Sequence, residues 1–364
     1  MSGNNKDNNL TAVSIKLLYP GIEIQEDVYD ADAEVLIIKR GATLTAEDIE
    51  AVKVFNEGRE TIYVSGDTYR MLRKKSPPIK VDNLRELEAT TGYATAKVET
   101  SALLDEIASS QELQLEAIQS VSAEISHRLE VTNTSTIMSL INALAPVDEY
   151  LQRHCVDVGM LNGLFGKWLG LPKPDVDKLI LIGLLHDCGK AMVPPGVLNA
   201  PRKLTVVEFE VIKMHAVFTY ELLAEFPDQL RRAARGHHEK IDGTGYPDLL
   251  NKDSIPLEAR ITAVSDIYDA MVSQRAYKRA KSPFSVMALL QDLGKTDLDP
   301  RLVDFFILKM PKELIGKPVM MSDGSIAVVR SFDLNDIEYP MVEINGLITK
   351  SSKKWHCTSM HVEK

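Results

Sequence analysis

The chain has 364 residues, of which 45% are hydrophobic and 26% are charged, with a formal net charge of −10 and an isoelectric point near 5.4. This composition is typical of a soluble globular protein with two or three domains. The acidic balance argues against a nucleic-acid polymer as partner, because polymeric phosphates require a broad basic face. A small anionic ligand stays possible, since it needs only a local basic pocket.

Cysteine usage and the first residues favour the reducing cytoplasm. Cys155, Cys188 and Cys357 form no CxxC pair, so they predict neither a disulfide framework nor a thiolate zinc site. The opening MSGNNKDNNL lacks the apolar core of a signal peptide, and no apolar run reaches the ~18 residues that a membrane helix needs. We therefore expect a cytoplasmic protein without membrane insertion.

Residues 1–72 predict a small α+β module. The stretches VSIKLL, EIQEDVYD, EVLIIKRG and TIYVSG are typical of strands, and LTAEDIEAVKVF predicts a helix capped by Thr45. Residues 73–145 begin with a proline-containing linker and continue as long helices rich in Leu, Ala, Glu and Gln. These helices could carry a homodimer contact, relay a signal from the first module, or complete the core of the next domain.

Residues 146–312 predict a helical domain. Asp148 and Asp175 are each expected to open a helix, the second of which continues through VDKLILIGLLHDCGK. Thr205 and Glu208 form a capping box, which predicts one long helix over VVEFEVIKMHAVFTYELLAEF.

Two more helical stretches and a β tail follow. SIPLEARITAVSDIYDAMVSQRAYKRA predicts a helix that starts near Ser254, and Ser282 with its following proline predicts the cap of another. From about Gly316, KPVMMSDGSIAVVRSF predicts two strands around a turn, and PMVEI predicts a third. Residues 313–364 are thus expected to form a small β module. This module and the N-terminal one could bind a regulatory partner or complete the scaffold.

Five of the eight histidines fall between positions 154 and 238, and two carboxylates accompany them. Asp187 directly follows a histidine, and Asp266 lies in the apolar run ARITAVSDIYDAM, where a buried charge is costly unless it is paired or bound to metal. Nitrogen and oxygen donors without thiolate suit iron, manganese, cobalt or zinc. The candidate donors are His154, His186, Asp187, His215, His237, His238 and Asp266.

Seven donors exceed what one ion takes, and neighbours on a helix point ~100° apart, so His186 and Asp187 are expected to serve two ions with the aspartate bridging. Two ions ~3.5–4 Å apart form the clamp used for in-line displacement at phosphorus, which favours hydrolysis of a phosphate ester. Lys190, one turn beyond His186, could meet a phosphate oxygen or a leaving group if the helix continues through Gly189. Alternatively, it is a lysine at a helix C-terminus that interacts with the helix dipole.

The order and spacing of these motifs resemble a known family. HDCGKAMVPPGVLN, LTVVEFEVIKMH, HHEKIDGTGYP and AVSDIYDAMVSQRAYK resemble the HD-GYP branch of the HD-domain phosphohydrolases, bacterial phosphodiesterases that open cyclic di-GMP; the resemblance spans about residues 146–310. It implies a mainly α fold, in which an HD-type helical bundle carries the metal site between the small α+β module with its long helices and the β tail. It also implies that the seven donors bind two divalent transition-metal ions, iron or manganese, and that Asp187 and Lys190 are catalytic.

The resemblance also implies a pocket for a cyclic dinucleotide. Gly245, Tyr246 and Pro247 correspond to the GYP loop at the rim of that pocket, where Tyr246 could stack on a guanine. Arg275 and Lys278 match the phosphate-binding pair of the family. The two adjacent histidines of the HHE motif are expected to give one nitrogen to each metal.

Two positions depart from the family pattern. Tyr150 stands where some members carry a glutamate that goes with a third metal, so we expect two ions per chain and linear pGpG as the main product, with GMP slow or absent. Thr219 stands where a glycine is often found and is expected to affect packing alone. Two other functions stay open: a receptor that binds metal and nucleotide but signals through protein contacts, and a hydrolase of another cyclic dinucleotide.

Overall fold

The computed structural model describes residues 10–14, 28–29, 36–43, 61–65, 92–111, 113–142, 150–200, 202–273 and 281–360. The chain divides into two compact units. The first comprises Met1–Val81, Gly316–Ser331 and Tyr339–His356, and the second comprises Asp82–Ile315, Phe332–Glu338 and Cys357–Lys364. The domain boundaries expected from the sequence stay predictions.

Antiparallel sheets form the described part of the first unit. One sheet has the strand order β1-β4-β2-β3, with β1 (Leu10–Ser14), β2 (Val28–Tyr29), β3 (Leu36–Ile38) and β4 (Thr61–Ser65). In the other, β5 (Pro318–Met321), β6 (Ile326–Ser331), β7 (Met341–Ile344) and β8 (Leu347–Lys350) pair in sequence order. Strands β1 to β7 overlap the stretches predicted to be strands, whereas β8 was not predicted. The helix expected after Thr45 lies outside the described residues.

The second unit is mainly helical, as expected. Its helices are α1 (Gly92–Ser110), α2 (Leu115–Val131), α3 (Thr134–Ile141), α4 (Tyr150–Trp168), α5 (Lys173–Leu185), α6 (Pro195–Leu198), α7 (Val206–Lys213), α8 (His215–Leu222), α9 (Asp228–Arg235), α10 (Leu257–Val272), α11 (Pro283–Leu293) and α12 (Pro300–Lys309). A short strand, β9 (Cys357–Ser359), follows late in the chain. Among these helices, none combines the length and apolar character needed to cross a membrane.

Local capping signals place several helix ends. The Thr205 hydroxyl accepts a hydrogen bond from the Glu208 N–H, and the Glu208 carboxylate accepts one from the Thr205 N–H, so the predicted capping box starts α7. The Ser282 side chain caps α11 in the same way, by accepting from the Phe284 N–H. Gly170 follows the end of α4 with φ of 72°, a left-handed conformation that favours glycine.

The helix that precedes His186 and Asp187, the HD motif, differs from its prediction at both ends. It begins at Lys173 after Pro172, so Asp175 lies within its first turn and does not cap it. Pro174 lies in this first turn, where a proline fits because its missing N–H would have no partner within the helix in any case. The helix ends at Leu185, and a separate 3-10 helix (Cys188–Met192) follows.

The long helix predicted after Thr205 is two helices, α7 and α8, which meet at Met214. The two segments have different surroundings: α7 buries none of its side chains, whereas α8 buries His215, Ala216 and Thr219. A capping box reports where a helix starts and carries no information about such a break.

Close packing of α4 against α5 brings two of the candidate metal donors, His154 and His186, close together. A Cβ atom on Gly183 would lie 2.8 Å from the Cα of Gly159, so these helices approach where neither has a side chain. The approach brings the imidazoles of His154 and His186 to a centroid separation of 5.1 Å.

Candidate metal centre

The structure brings all seven candidate donors into one cluster. They come from separate segments: His154 from α4, His186 and Asp187 from the turn after α5, His215 from the start of α8, His237 and His238 from the turn after α9, and Asp266 from α10. All are buried except His238, which is half-buried. Burial of so many ionisable groups at one point is costly unless they are paired or bind a cation.

The donors form two groups, within each of which the donor atoms lie no more than 4.8 Å apart. One group is His154, His186 and Asp266; the other is Asp187, His215, His237 and His238. His186 belongs to one group and its chain neighbour Asp187 to the other. His237 and His238 share one group, but Nδ1 of His238 also lies 3.9 Å from Oδ2 of Asp266 in the other group, so the expected division of these two histidines between two metals stays a prediction. These two residues follow the end of α9, where the angular spacing of a regular helix does not apply.

Asp187 lies between the two groups and presents one oxygen to each. Its Oδ2 atom is 3.3 Å from Nε2 of His186 and 3.5 Å from Nε2 of His154. Its Oδ1 atom is 3.3 Å from Nε2 of His215 and 3.8 Å from Nε2 of His237. This is the arrangement that a bridging carboxylate requires.

Backbone carbonyls orient three of the imidazoles. Nδ1 of His186, His215 and His237 each donates a hydrogen bond of 2.6 Å to the carbonyl three residues earlier in the chain. A carbonyl accepts only, so Nδ1 carries the proton and Nε2 keeps its lone pair. In all three residues the lone pair lies on the nitrogen that faces Asp187.

A carboxylate orients the fourth imidazole. Nδ1 of His154 is 2.6 Å from Oδ2 of Asp269, which is buried on α10 and also accepts a hydrogen bond from Ser273. Nε2 of His154 is 3.1 Å from Oδ1 of Asp266, the donor one turn earlier on the same helix. Asp269 thus directs His154 toward the cluster, a role that the sequence analysis did not assign.

The electrostatics of the cluster favour the ligand forms of its side chains. Burial, followed by the charge of neighbouring imidazoles, lowers the pKa of His237 well below its ordinary value, and burial also lowers the pKa of His215. These histidines are therefore neutral near pH 7. Burial opposes ionisation of Asp187, but Lys190 and the imidazoles outweigh it and hold the pKa of that carboxyl well below its usual range. Neutral imidazoles and an ionised carboxylate are the forms that bind metals.

Two atoms at the centre of the cluster indicate that the donors fit a metal. Nε2 of His186 and Oδ1 of Asp187 are buried and have no hydrogen-bond partner. Buried polar atoms of this kind are normally paired, and both of these are lone-pair donors directed into the cluster. A set of imidazole nitrogens and carboxylate oxygens suits borderline divalent cations.

Lys190 lies in the 3-10 helix rather than on an extension of α5, so the continuous helix on which its position was predicted does not exist. Its ammonium group nevertheless reaches the cluster, where it contacts Oδ2 of Asp187. The lysine is half-buried, so it lies between the donor groups and the solvent side.

The GYP loop lies against the HHE segment. The Glu239 carboxylate is buried and accepts hydrogen bonds from the backbone N–H groups of Asp248, at 2.6 Å, and Leu250, at 2.9 Å. A Cβ atom on Gly245 would lie 2.5 Å from the Cα of Glu239, so a side chain at position 245 has no room. The ring of Tyr246 therefore lies beside the cluster, with its centroid 4.6 Å from that of His238.

Two sequence predictions fall on parts of the chain that the structure does not describe. Arg275 and Lys278 lie outside the described residues. For Tyr150, only the backbone position at the start of α4 is described, one turn before His154. The roles of these residues stay predictions.

Comparison with known proteins gives a consistent picture. Residues 137–302 match the family model of the HD domain. The cyclic di-GMP phosphodiesterase response regulator RpfG of Xanthomonas campestris is 36% identical over 182 residues, which cover 49% of this chain and 48% of that protein. A cyclic di-GMP phosphodiesterase of Pseudomonas aeruginosa is 30% identical over 260 residues, covering 71% of this chain and 58% of that protein. A 3′3′-cGAMP-specific phosphodiesterase of Vibrio cholerae is 34% identical over 163 residues, covering 44% of this chain and 35% of that protein.

Residues 137–302 therefore form an HD domain. This match and the relatives named cyclic di-GMP phosphodiesterases confirm the resemblance recognised from the sequence. The chain spans about half the length of the two cyclic di-GMP phosphodiesterases described above.

Proposed function

We propose that the chain is a metal-dependent phosphodiesterase that hydrolyses cyclic di-GMP to linear pGpG. The position of Asp187 carries this proposal, because its two oxygens face two separate donor groups. A bridging carboxylate between two nitrogen-rich groups suits a pair of divalent cations. Relatives that are named cyclic di-GMP phosphodiesterases support the choice of substrate.

The donors would hold two divalent ions, iron or manganese, which supply Lewis-acid charge for a water nucleophile and for the phosphate oxygens. In hydrolysis a bond forms between the water oxygen and phosphorus while the water gives up a proton, the bond between phosphorus and the 3′ oxygen breaks, and that oxygen takes a proton. Lys190 is suited to provide positive charge or this proton, since its ammonium group already meets the anionic Asp187 at the cluster. Opening one phosphodiester of the ring in this way gives a linear dinucleotide.

The GYP loop would hold the nucleobase. Tyr246 is half-buried, and its ring centroid lies 4.6 Å from that of His238. The Glu239 carboxylate holds the loop that carries Tyr246 in place. Burial raises the pKa of Tyr246, so its phenol stays neutral at the edge of the site. Arg275 and Lys278 are proposed to bind the phosphates on the basis of the sequence resemblance.

A different cyclic dinucleotide is the second candidate substrate, because a relative of similar identity is named a 3′3′-cGAMP-specific phosphodiesterase. Metal ions and cationic side chains read phosphates, which these compounds share. The test is turnover by manganese- or iron-loaded protein of cyclic di-GMP, 3′3′-cGAMP and cyclic di-AMP, followed by chromatography. We expect cyclic di-GMP to be the best substrate. Preferential turnover of another compound would change the substrate, and metal-loaded protein that binds but turns over none would favour a receptor.

Lys190→Ala tests whether this lysine acts in turnover or only holds the metal site together. Lys190 is not among the donors, so the variant should retain metal while losing turnover. Loss of metal together with turnover would instead assign the lysine to holding the site together.

A further inference from the structure

Thr219 on α8 makes a contact that the expected packing role does not explain. Its side chain is fully buried, and its hydroxyl donates a hydrogen bond of 3.1 Å to the carbonyl of His186. The same oxygen accepts a hydrogen bond of 3.0 Å from the N–H of Gly189. One hydroxyl therefore joins the backbone on both sides of Asp187.

The backbone at these two positions needs such a partner. The α5 helix has ended at Leu185 and the 3-10 helix starts only at Cys188, so the carbonyl of His186 and the N–H of Gly189 lie at adjoining helix ends. Groups at helix ends have no partner within the helix, and they must find one elsewhere when they are buried. Asp187 stands in this break, with φ of −107° and ψ of 5°.

The same region shows how closely α8 approaches the HD motif. A Cβ atom on Gly189 would lie 2.5 Å from the backbone nitrogen of Thr219 and would also meet the carbonyl of His215. The start of α8 therefore packs directly on the backbone that carries Asp187. Because His215 is the first residue of α8, this contact fixes Asp187 and His215 relative to one another.

We infer that Thr219 is a positioning residue for the metal centre. Its hydroxyl holds the turn between α5 and the 3-10 helix against α8, which sets the direction of the Asp187 carboxylate and its distance from His215. The inference rests on the metal site of the proposed function, but not on the identity of the substrate.

Thr219→Val tests this inference, because valine has nearly the shape of threonine and lacks the hydroxyl. We expect the metal-free variant to bind Mn²⁺ about tenfold more weakly by isothermal titration calorimetry, the lower end of the range for residues that support ligands. Thr219→Ser keeps the hydroxyl and should restore affinity close to that of the wild type. The electron paramagnetic resonance signal of unbound Mn²⁺ gives an independent measure of the bound fraction.

Thr100→Val is the matched control. Thr100 is also buried, but its hydroxyl donates to the carbonyl of Ala96 in its own helix α1. Its replacement should leave Mn²⁺ affinity unchanged. Wild-type affinity in Thr219→Val, equal losses in both valine variants, or a serine variant as weak as the valine variant would each overturn the inference. A wild-type protein that binds no Mn²⁺ would overturn it together with the proposed function, whereas failure of every substrate would leave this result standing.

Discussion

Replacement of Asp269 by asparagine tests how the centre controls its ligands. The Asp269 carboxylate accepts a hydrogen bond of 2.6 Å from Nδ1 of His154, and this directs Nε2 of the same ring toward Oδ1 of Asp266 at 3.1 Å. Asparagine has nearly the same size and can still accept this hydrogen bond through its amide oxygen. The substitution therefore removes the charge of the partner while retaining an acceptor for His154.

The expected effect follows from the strength of this contact. Hydrogen bonds to an ionised acceptor are roughly twice as strong as those between neutral groups, and they raise the basicity of the ligand. Loss of such partners costs about 10–100-fold in metal affinity, or ~1.4–2.7 kcal/mol. Calorimetric titration of metal-free protein with Mn²⁺ should therefore show weaker binding in Asp269→Asn.

Asp299→Asn separates this effect from the general cost of changing a buried aspartate. Asp299 is also buried, but its carboxylate contacts Arg260 at 2.6 Å and Lys252 at 3.2 Å. Its replacement should lower the free energy of unfolding by ~1–3 kcal/mol without weakening Mn²⁺ binding. Binding of Mn²⁺ by Asp269→Asn as tight as that of the wild type would refute the orienting role of Asp269, as would an equal loss in Asp299→Asn.

Three further predictions concern the ions and the loop. Asp187→Asn removes the carboxylate shared by both donor groups, so elemental analysis should find little metal and turnover should vanish while circular dichroism stays native; retained metal and turnover would exclude bridging. Glu239→Gln weakens the contacts that hold the GYP loop, so KM should rise while metal content is unchanged, and unaltered KM would contradict the loop's role. With Tyr150 in place of a glutamate, anaerobically purified protein should hold two ions per chain and release pGpG; three tightly held ions or rapid release of GMP alone would show otherwise.

The parts of the centre that the sequence predicted are those written in short motifs. The capping box at Thr205, the HD pair and the HHE motif each lie within a few residues, and the resemblance to HD-GYP proteins joined them into one donor set. The supporting residues depend on contacts between distant parts of the chain. Asp269 lies 115 residues from His154, and no local pattern distinguishes it from a helix-surface aspartate.

The errors in the predicted helices have a related cause. The helical periodicity of the sequence continues through HDCGK and across Met214, yet a helix ends at each of these places. At Met214 an exposed helix meets a partly buried one, a difference in surroundings that periodicity does not report. At Gly189 the break accompanies tertiary packing, because α8 packs on the backbone there. The hydroxyl of Thr219 belongs to the same contact, so its role could not be seen before the break was known.

The carbonyls that orient three of the histidines have a consequence for sequence change. Every amino acid carries a backbone carbonyl, so no substitution at Gly183, Ile212 or Ala234 can delete the acceptor itself. The acceptors for His186, His215 and His237 therefore do not depend on the side chains at these positions, although Gly183 itself has no room for a Cβ atom against α4. His154 depends instead on the side chain of Asp269, so a single substitution at that position can remove the acceptor that orients it.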